Sequence, residues 1–375
     1  MSKDVSKAIL AVILAAGVLG AQSTDSQELQ KAISAHQKGE YGVAISGYEK
    51  FLKVHPEAAA VRSNLGAALA HEGRFEDAVR EYTLALSVDP RNNRVRLNLA
   101  LAHFKTGDIV AASKELEKVH IAEPENNQAT LLLASCYLQM GDNKKVIAVL
   151  DPKAGSGGSD LTIPYLLGTA LMRDNQTLRS QVYLDQILRN GDSAEARLMM
   201  GTVKMGANDV SGARADLQRA IELRPDLPGA HSYLGLVLLR AGDTNAATKA
   251  FRDELALNPN DFDANLQLGG LLRQEDKPEE ARVYLKRSLM VRPGDFGARY
   301  QLAAIDVSEG RIEEARTGLE SLIKEAPEFL EAHVSLATVY YRLKRKEDGD
   351  RERETVRKLN AAAQARQPKP AEANQ

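Results

Sequence analysis

The chain keeps time at 34 residues. Pro56, Pro90 and Pro124 stand 34 apart, and Pro225, Pro259, Pro293 and Pro327 resume the same step. Glycines mark the middle of the period at Gly39, Gly73, Gly107, Gly141, Gly242 and Gly310. Ala44, Ala78, Ala112, Ala213, Ala247, Ala281 and Ala315 are each followed four residues on by Tyr48, Tyr82, Leu116, Leu217, Phe251, Leu285 and Leu319. Earlier in the period a Leu-Gly or Leu-Ala pair recurs at Leu65-Gly66, Leu99-Ala100, Leu133-Ala134, Leu167-Gly168, Leu234-Gly235, Leu268-Gly269 and Leu302-Ala303. One such copy cannot bury its apolar face alone; stacked copies can, so the repetition is itself the core.

Each marker has a physical reason to recur. The proline cannot continue a helix and biases the residue before it away from the α region. The mid-period glycine permits a left-handed turn between two helices. Small residues such as Gly66 and Ala78 let those helices approach, and Leu65, Tyr82 and Leu86 fill the seam. Composition agrees: the chain is 43% apolar and 27% charged, with 5% aromatics and no tryptophan. That balance favours close-packed helices over a β-sandwich. The net charge of −2 comes from acids and bases mixed along the chain, without the basic block that would invite nucleic acid.

This pattern resembles the tetratricopeptide repeat. The resemblance runs from Asp25 to about Ala363, in units starting at 25, 59, 93, 127, 161, 194, 228, 262 and 296, with a degenerate capping unit from 330. The motif's usual tryptophan is missing; Glu28, Arg62, Arg96 and His231 stand in its place. The resemblance implies an all-α fold, a right-handed α-solenoid of about ten helix-turn-helix units, whose first helices line a concave groove for a protein or peptide partner.

Two places break the rhythm. In the fourth unit the second helix meets DPKAGSGGSD (151–160), which shortens it and makes this a candidate hinge; the fifth unit has 33 residues and no final proline. At the C-terminus KRKEDGDRERETVRK (344–358) reads as a solvated cap, with i,i+4 pairs Lys346–Asp350, Glu347–Arg351 and Glu354–Lys358. Residues 364–375 read as a disordered tail.

The N-terminus is a different material. Lys3 and Lys7 precede AILAVILAAGVLG (8–20) and a polar AQSTDSQ, the layout of a secretory signal peptide over 1–21. The apolar run is short for a bilayer, so a membrane association is expected only if the segment stays uncleaved. Export to a periplasm or cell envelope follows, with an extracellular destination as the alternative. Cys136, the only cysteine, forms no internal disulfide and lies in an apolar helix as a packed thiol.

Chemistry is hard to find. The seven histidines make no HExxH or other metal-ligand spacing, and the glycines of AGSGGSD lead into no phosphate-binding lysine. NDFDANLQ around Asp263 reads as a helix start with an Asp cap. The repeats leave no room for a catalytic domain, so no enzyme activity, metal or cofactor is expected.

Transferred by position in the unit, the groove candidates are Arg94, Leu97, Leu101, Phe104, Lys105, Gln139, Tyr165, Met172, Arg173, Met205, Arg240, Arg273 and Tyr300. Leu29, Ile33, Leu131, Leu138, Leu198, Leu236, Leu266 and His71 occupy related positions. Some family members clamp an acidic C-terminus between Lys, Asn and Arg. Here Asn64 fits and Arg94 could replace one Lys, but Leu29, Ile33 and Asn98 stand at other clamp positions, so that clamp is not supported. The expected role is a non-catalytic scaffold holding a partner segment. The alternative is an accessory handling envelope polysaccharide, which would need exposed aromatic platforms that the scattered Tyr165, Tyr300 and Tyr341 do not offer.

Overall fold

The computed structural model describes residues 24–155, 161–189 and 191–366. The expected signal peptide lies outside them, as do residues 156–160 of the candidate hinge and all of the expected tail beyond Arg366. Among the described residues the fold is all-α, with twenty α-helices, one short 3-10 turn at Asp151–Lys153 and no strand.

The helices alternate as first and second helices along the chain, and nine successive couples pack as pairs. The first unit holds α1 (Thr24–Gln37) with α2 (Tyr41–Val54), α3 (Ala59–His71) with α4 (Phe75–Val88), and α5 (Asn93–Thr106) with α6 (Ile109–Ala122). Next come α7 (Asn127–Met140) with α8 (Asn143–Leu150), α9 (Thr162–Arg173) with α10 (Thr177–Leu188), α11 (Ala194–Gly206) with α12 (Val210–Leu223), and then α13 (Ala230–Arg240). The chain divides into two compact units after Ala241. The second unit holds α14 (Thr244–Leu257), α15 (Phe262–Gln274) with α16 (Pro278–Val291), α17 (Phe296–Ser308) with α18 (Ile312–Glu325), and α19 (Leu330–Arg342) with α20 (Lys346–Arg366). Within each unit a second helix packs on the first helix of the next pair, and most first helices also touch their successors.

Every pair turns through one left-handed residue. Glycine serves at 39, 73, 107, 141, 242 and 310, with φ between 76° and 85°. Where glycine is absent, Asn175, Asn208, Asp276 and Lys344 take the same conformation, at φ 59°, 63°, 56° and 61°. Helix starts are capped from the side chain: Asn92, Asp108, Asn126, Ser193, Asp209, Asp243, Asp261 and Asp295 each accept the amide three residues on. Asp261 is the cap inside NDFDANLQ.

The seam is built on size matching. A Cβ added to Gly66 would sit 2.8 Å from the Tyr82 ring, and one added to Gly201 or Gly269 would strike Leu217 or Leu285. Tyr82, Leu217 and Leu285 are buried. Cys136 is also fully buried, and burial pushes its thiol up to about 12, which keeps it protonated and inert.

α8 stops after eight residues at Leu150, where the sequence breaks. The seam there is stitched: Arg179 on α10 donates to both carboxylate oxygens of Asp151 at 2.7 and 2.8 Å. In α20 the expected i,i+4 pairs are replaced by i,i+3 pairs. Arg345 and Arg351 both reach Asp348, and Arg357 reaches Glu354. Asp350 instead accepts the hydroxyl of Tyr341, so the cap faces its own helix pair as well as solvent.

Candidate functional site

The candidate residues lie on first helices, and the structure sorts them into three kinds. On α5, Leu97, Leu101 and Phe104 form one half-buried row at i, i+4 and i+7, with Arg94 and Lys105 exposed at its two ends. Half-burial is what a row shared between neighbour packing and solvent should show. No ion pair engages Arg94 or Lys105 among the described residues.

The second kind is a set of arginines already engaged. Arg173 donates to the carbonyl of Leu138, Arg240 to that of Met205 at 2.6 Å, and Arg342 to that of Val307 at 2.8 Å. Each sits in the last turn of a first helix and reaches a carbonyl 35 residues earlier, in the last turn of the preceding first helix. Each of those carbonyls accepts only an amide of the terminal turn and lies at the negative end of the helix dipole, so a guanidinium adds a charged donor where it is favoured. Arg173 also reaches past α11 to the hydroxyl of Tyr233 on α13. Arg273, in the second unit, donates to Gln301 at 2.5 Å.

The third kind is apolar and leans on core. Tyr165 and Met205 pack against the cluster of Leu198, Ala213, Leu217 and Val237. Leu198 itself is 1% exposed, so it belongs to the core and not to a groove. Tyr165 and Tyr233, from the pairs on either side, cover that cluster. Met172 and Gln139 are half-buried in the first unit. In the second unit Tyr300 is half-buried, edge-on to Phe329 at 5.5 Å and 3.3 Å from the Ser335 hydroxyl.

A network that the sequence reading passed over sits at the missing tryptophan. Arg62 donates to the Pro56 carbonyl at 2.8 Å and to Glu81 at 2.8 Å. Arg96 does the same to Pro90 and Glu115. Farther on, His231, Asn265 and His333 contact the carbonyls of Pro225, Pro259 and Pro327 at 3.2, 2.9 and 3.0 Å. Arg197 and His333 take the acidic partner nineteen residues on, Asp216 at 2.7 Å and Glu352 at 2.5 Å. The polar residue thus hooks the turn that ends the previous helix and ties down its own second helix. At Glu115 burial pushes the carboxyl up, but hydrogen bonds from Lys118 and Arg96 outweigh it and hold the group below its ordinary value. The signal was present: a proline, a polar side chain six residues later, an acid nineteen beyond that.

Among the described residues no three His, Cys, Asp or Glu side chains gather to hold a metal. No described helix is long and apolar enough to cross a membrane.

Two tetratricopeptide-repeat family models match the chain, one over 69–119, 238–304 and 272–328, the other over 29–86, 97–151 and 198–261. Together they take in well over half of it. The chain belongs to the tetratricopeptide-repeat family. Neither model reaches 152–197, the stretch that holds α9 and α10. A curated relative, the TPR repeat-containing thioredoxin TTL4 of Arabidopsis thaliana, is 41% identical over 58 residues, which is 15% of this chain and 8% of that protein. Among solved structures, a MamA RS-1 ArsTM double mutant shares 20% identity at a TM-score of 0.42, covering 47% of this chain and 98% of its own. YrrB, described as a TPR protein with an unusual peptide-binding site, shares 19% at 0.41, covering 47% and 91%. A crystal structure of MamA shares 18% at 0.40, covering 48% and 99%.

Proposed function

We propose that this tetratricopeptide-repeat protein is a non-catalytic scaffold that holds a partner protein segment along its first-helix face, centred on α5. The observation that carries this reading is the coincidence on one helix of a half-buried apolar row, Leu97, Leu101 and Phe104, with two exposed cations, Arg94 and Lys105, that no ion pair engages among the described residues. Elsewhere on the first helices the arginines are engaged: Arg173, Arg240 and Arg342 by carbonyls of the preceding first helix, Arg273 by Gln301, and Arg62, Arg197 and Arg299 by carboxylates. An amphipathic or extended segment with apolar anchors and flanking acids suits such a row. We further propose that the protein is exported to a periplasm or cell envelope, on the strength of the basic and apolar pattern over 1–21.

A polysaccharide role would need open aromatic faces. Tyr300 lies against Phe329 and the Tyr341 hydroxyl is held by Asp350, which works against it. The test is affinity capture from envelope extract alongside an oligosaccharide array. The scaffold reading expects a protein partner that is lost in Leu101→Glu and weakened roughly tenfold or more in the double variant Arg94→Glu, Lys105→Glu. Array binding without such a partner would reverse it.

A further inference from the structure

The first two helix pairs enclose a compact set of titratable rings that no part of the scaffold reading uses. His36, in the last turn of α1, is 3% exposed. Its ring lies 6.3 Å from that of His71, in the last turn of α3, at an interplanar angle of 84°. Tyr41, the first residue of α2, stacks flat on His71 at 4.4 Å and meets His36 edge-on at 5.5 Å. Tyr48, also on α2, places its hydroxyl 3.2 Å from Nδ1 of His36.

The chemistry of this set is that of neutral rings. Burial pushes the Tyr48 phenol up to about 12, so it keeps its proton. His36 makes that hydrogen bond as a neutral ring in either tautomer, so it needs no second proton. Nε2 of His71 is buried without a hydrogen-bond partner. A second proton on either ring would therefore bring a cation into a site where, among the described residues, no carboxylate answers it. α2 contributes only Tyr41 and Tyr48. Neither α4 nor α5 sets an acid against the rings; His103 on α5 has its own acids, Asp108 and Glu115. The charged residues nearest along the chain, Lys38, Glu40, Glu72 and Arg74, are all exposed.

We propose that the α1–α2 pair is a proton-sensitive end piece, which loosens from α3 when the His36–His71 pair takes up a proton below neutral pH. Burial holds His36 below the ordinary imidazole value, with the charge of His71 adding to the effect, and burial does the same to His71. A cation over the Tyr41 face would gain something from the ring, yet burial decides the direction. The sign follows. The unfolded or detached rings protonate near 6.5, while the packed rings resist, so stability is full above that value and falls as pH drops below it.

Hydrogen exchange on the full chain tests this, read from pH 7.5 to 5.2 and corrected for intrinsic rates. Glu115 stays charged in that window, because its hydrogen bonds hold it below its ordinary 4.5. Opening of α1 and α2 should rise several-fold across it, by at most about tenfold per pH unit for each proton taken up, while α15 and α16, which hold no histidine, stay level. The double variant His36→Gln, His71→Gln should flatten the α1–α2 response. If that variant folds poorly, NMR titration of the wild-type histidines decides instead, with both midpoints expected below 6.5. Midpoints at or above that value, an unchanged response in the folded double variant, or equal loosening along the whole chain would overturn the proposal.

Discussion

The α3–α4 pair and the α9–α10 pair are built to one plan but held by different forces. In α3–α4 the small residue Gly66 receives the ring of Tyr82 from its own partner helix, and Arg62 ties the pair to Pro56 and Glu81. In α9–α10 the corresponding Gly168 meets Met199 of the following pair most closely, its methyl 2.7 Å from where a Cβ would lie, with Tyr183 Cβ of α10 at 3.1 Å. Pro164 stands where Arg62 stands, and Tyr183 where Glu81 does, so no clasp can form. The turn is Asn175 in place of glycine, and Leu178 on the outer side of α10 is 90% exposed. One pair fills its own seam. The other depends on its neighbours, through Arg173, Arg179 and Met199, and it is the pair that the family models leave out.

That contrast can be broken or sharpened by substitution, read as local opening in hydrogen exchange because a repeat array need not unfold as one unit. The largest effect should come from Tyr82→Ala, which empties the seam of α3–α4 at a cost of about 3–5 kcal/mol. The loss should stay in α3–α4 and its contacts, whereas Met199→Ala should loosen α9 as much as its own helix. Arg62→Ala comes next, at about 1.5–3 kcal/mol, since it leaves Glu81 and the Pro56 carbonyl unanswered in a half-buried site. Gly73→Ala should cost about 1–2 kcal/mol, because its φ of 76° is left-handed backbone that alanine adopts only under strain. The smallest change belongs to Arg179→Ala: its pair with Asp151 is 47% and 42% exposed, and such pairs contribute less than about 1 kcal/mol. Equal sensitivity at Arg62 and Arg179 would erase the distinction.

Much of this was legible in the sequence, and the reasons are local. Prolines and glycines act through their own backbone preferences, so the helix ends and the left-handed turns at Gly39, Gly73, Gly107, Gly141, Gly242 and Gly310 show without knowledge of neighbours. Asn175, Asn208 and Asp276 carry a weaker signal than glycine, since Asn and Asp enter that conformation only somewhat more readily than most, and Lys344 carries none. The clasp was missed because Arg62 and Arg96 register as an absent tryptophan, and its meaning depends on a carbonyl six residues back. Arg173 and Arg240 looked like groove cations for a similar reason: a sequence shows their charge but not the helix end that takes it. Leu198 sits at the same place in its unit as Leu97, yet the aromatic side chains of both adjoining pairs cover it.

The most direct test of the central claim places a photoreactive amino acid at Leu101 on α5, and separately at Leu178 on α10, and illuminates the protein in its native extract. Adducts with one defined protein partner from position 101, and none from 178, are the predicted result. The same partner captured from 178 and not from 101 would contradict the claim that the first-helix face does the holding.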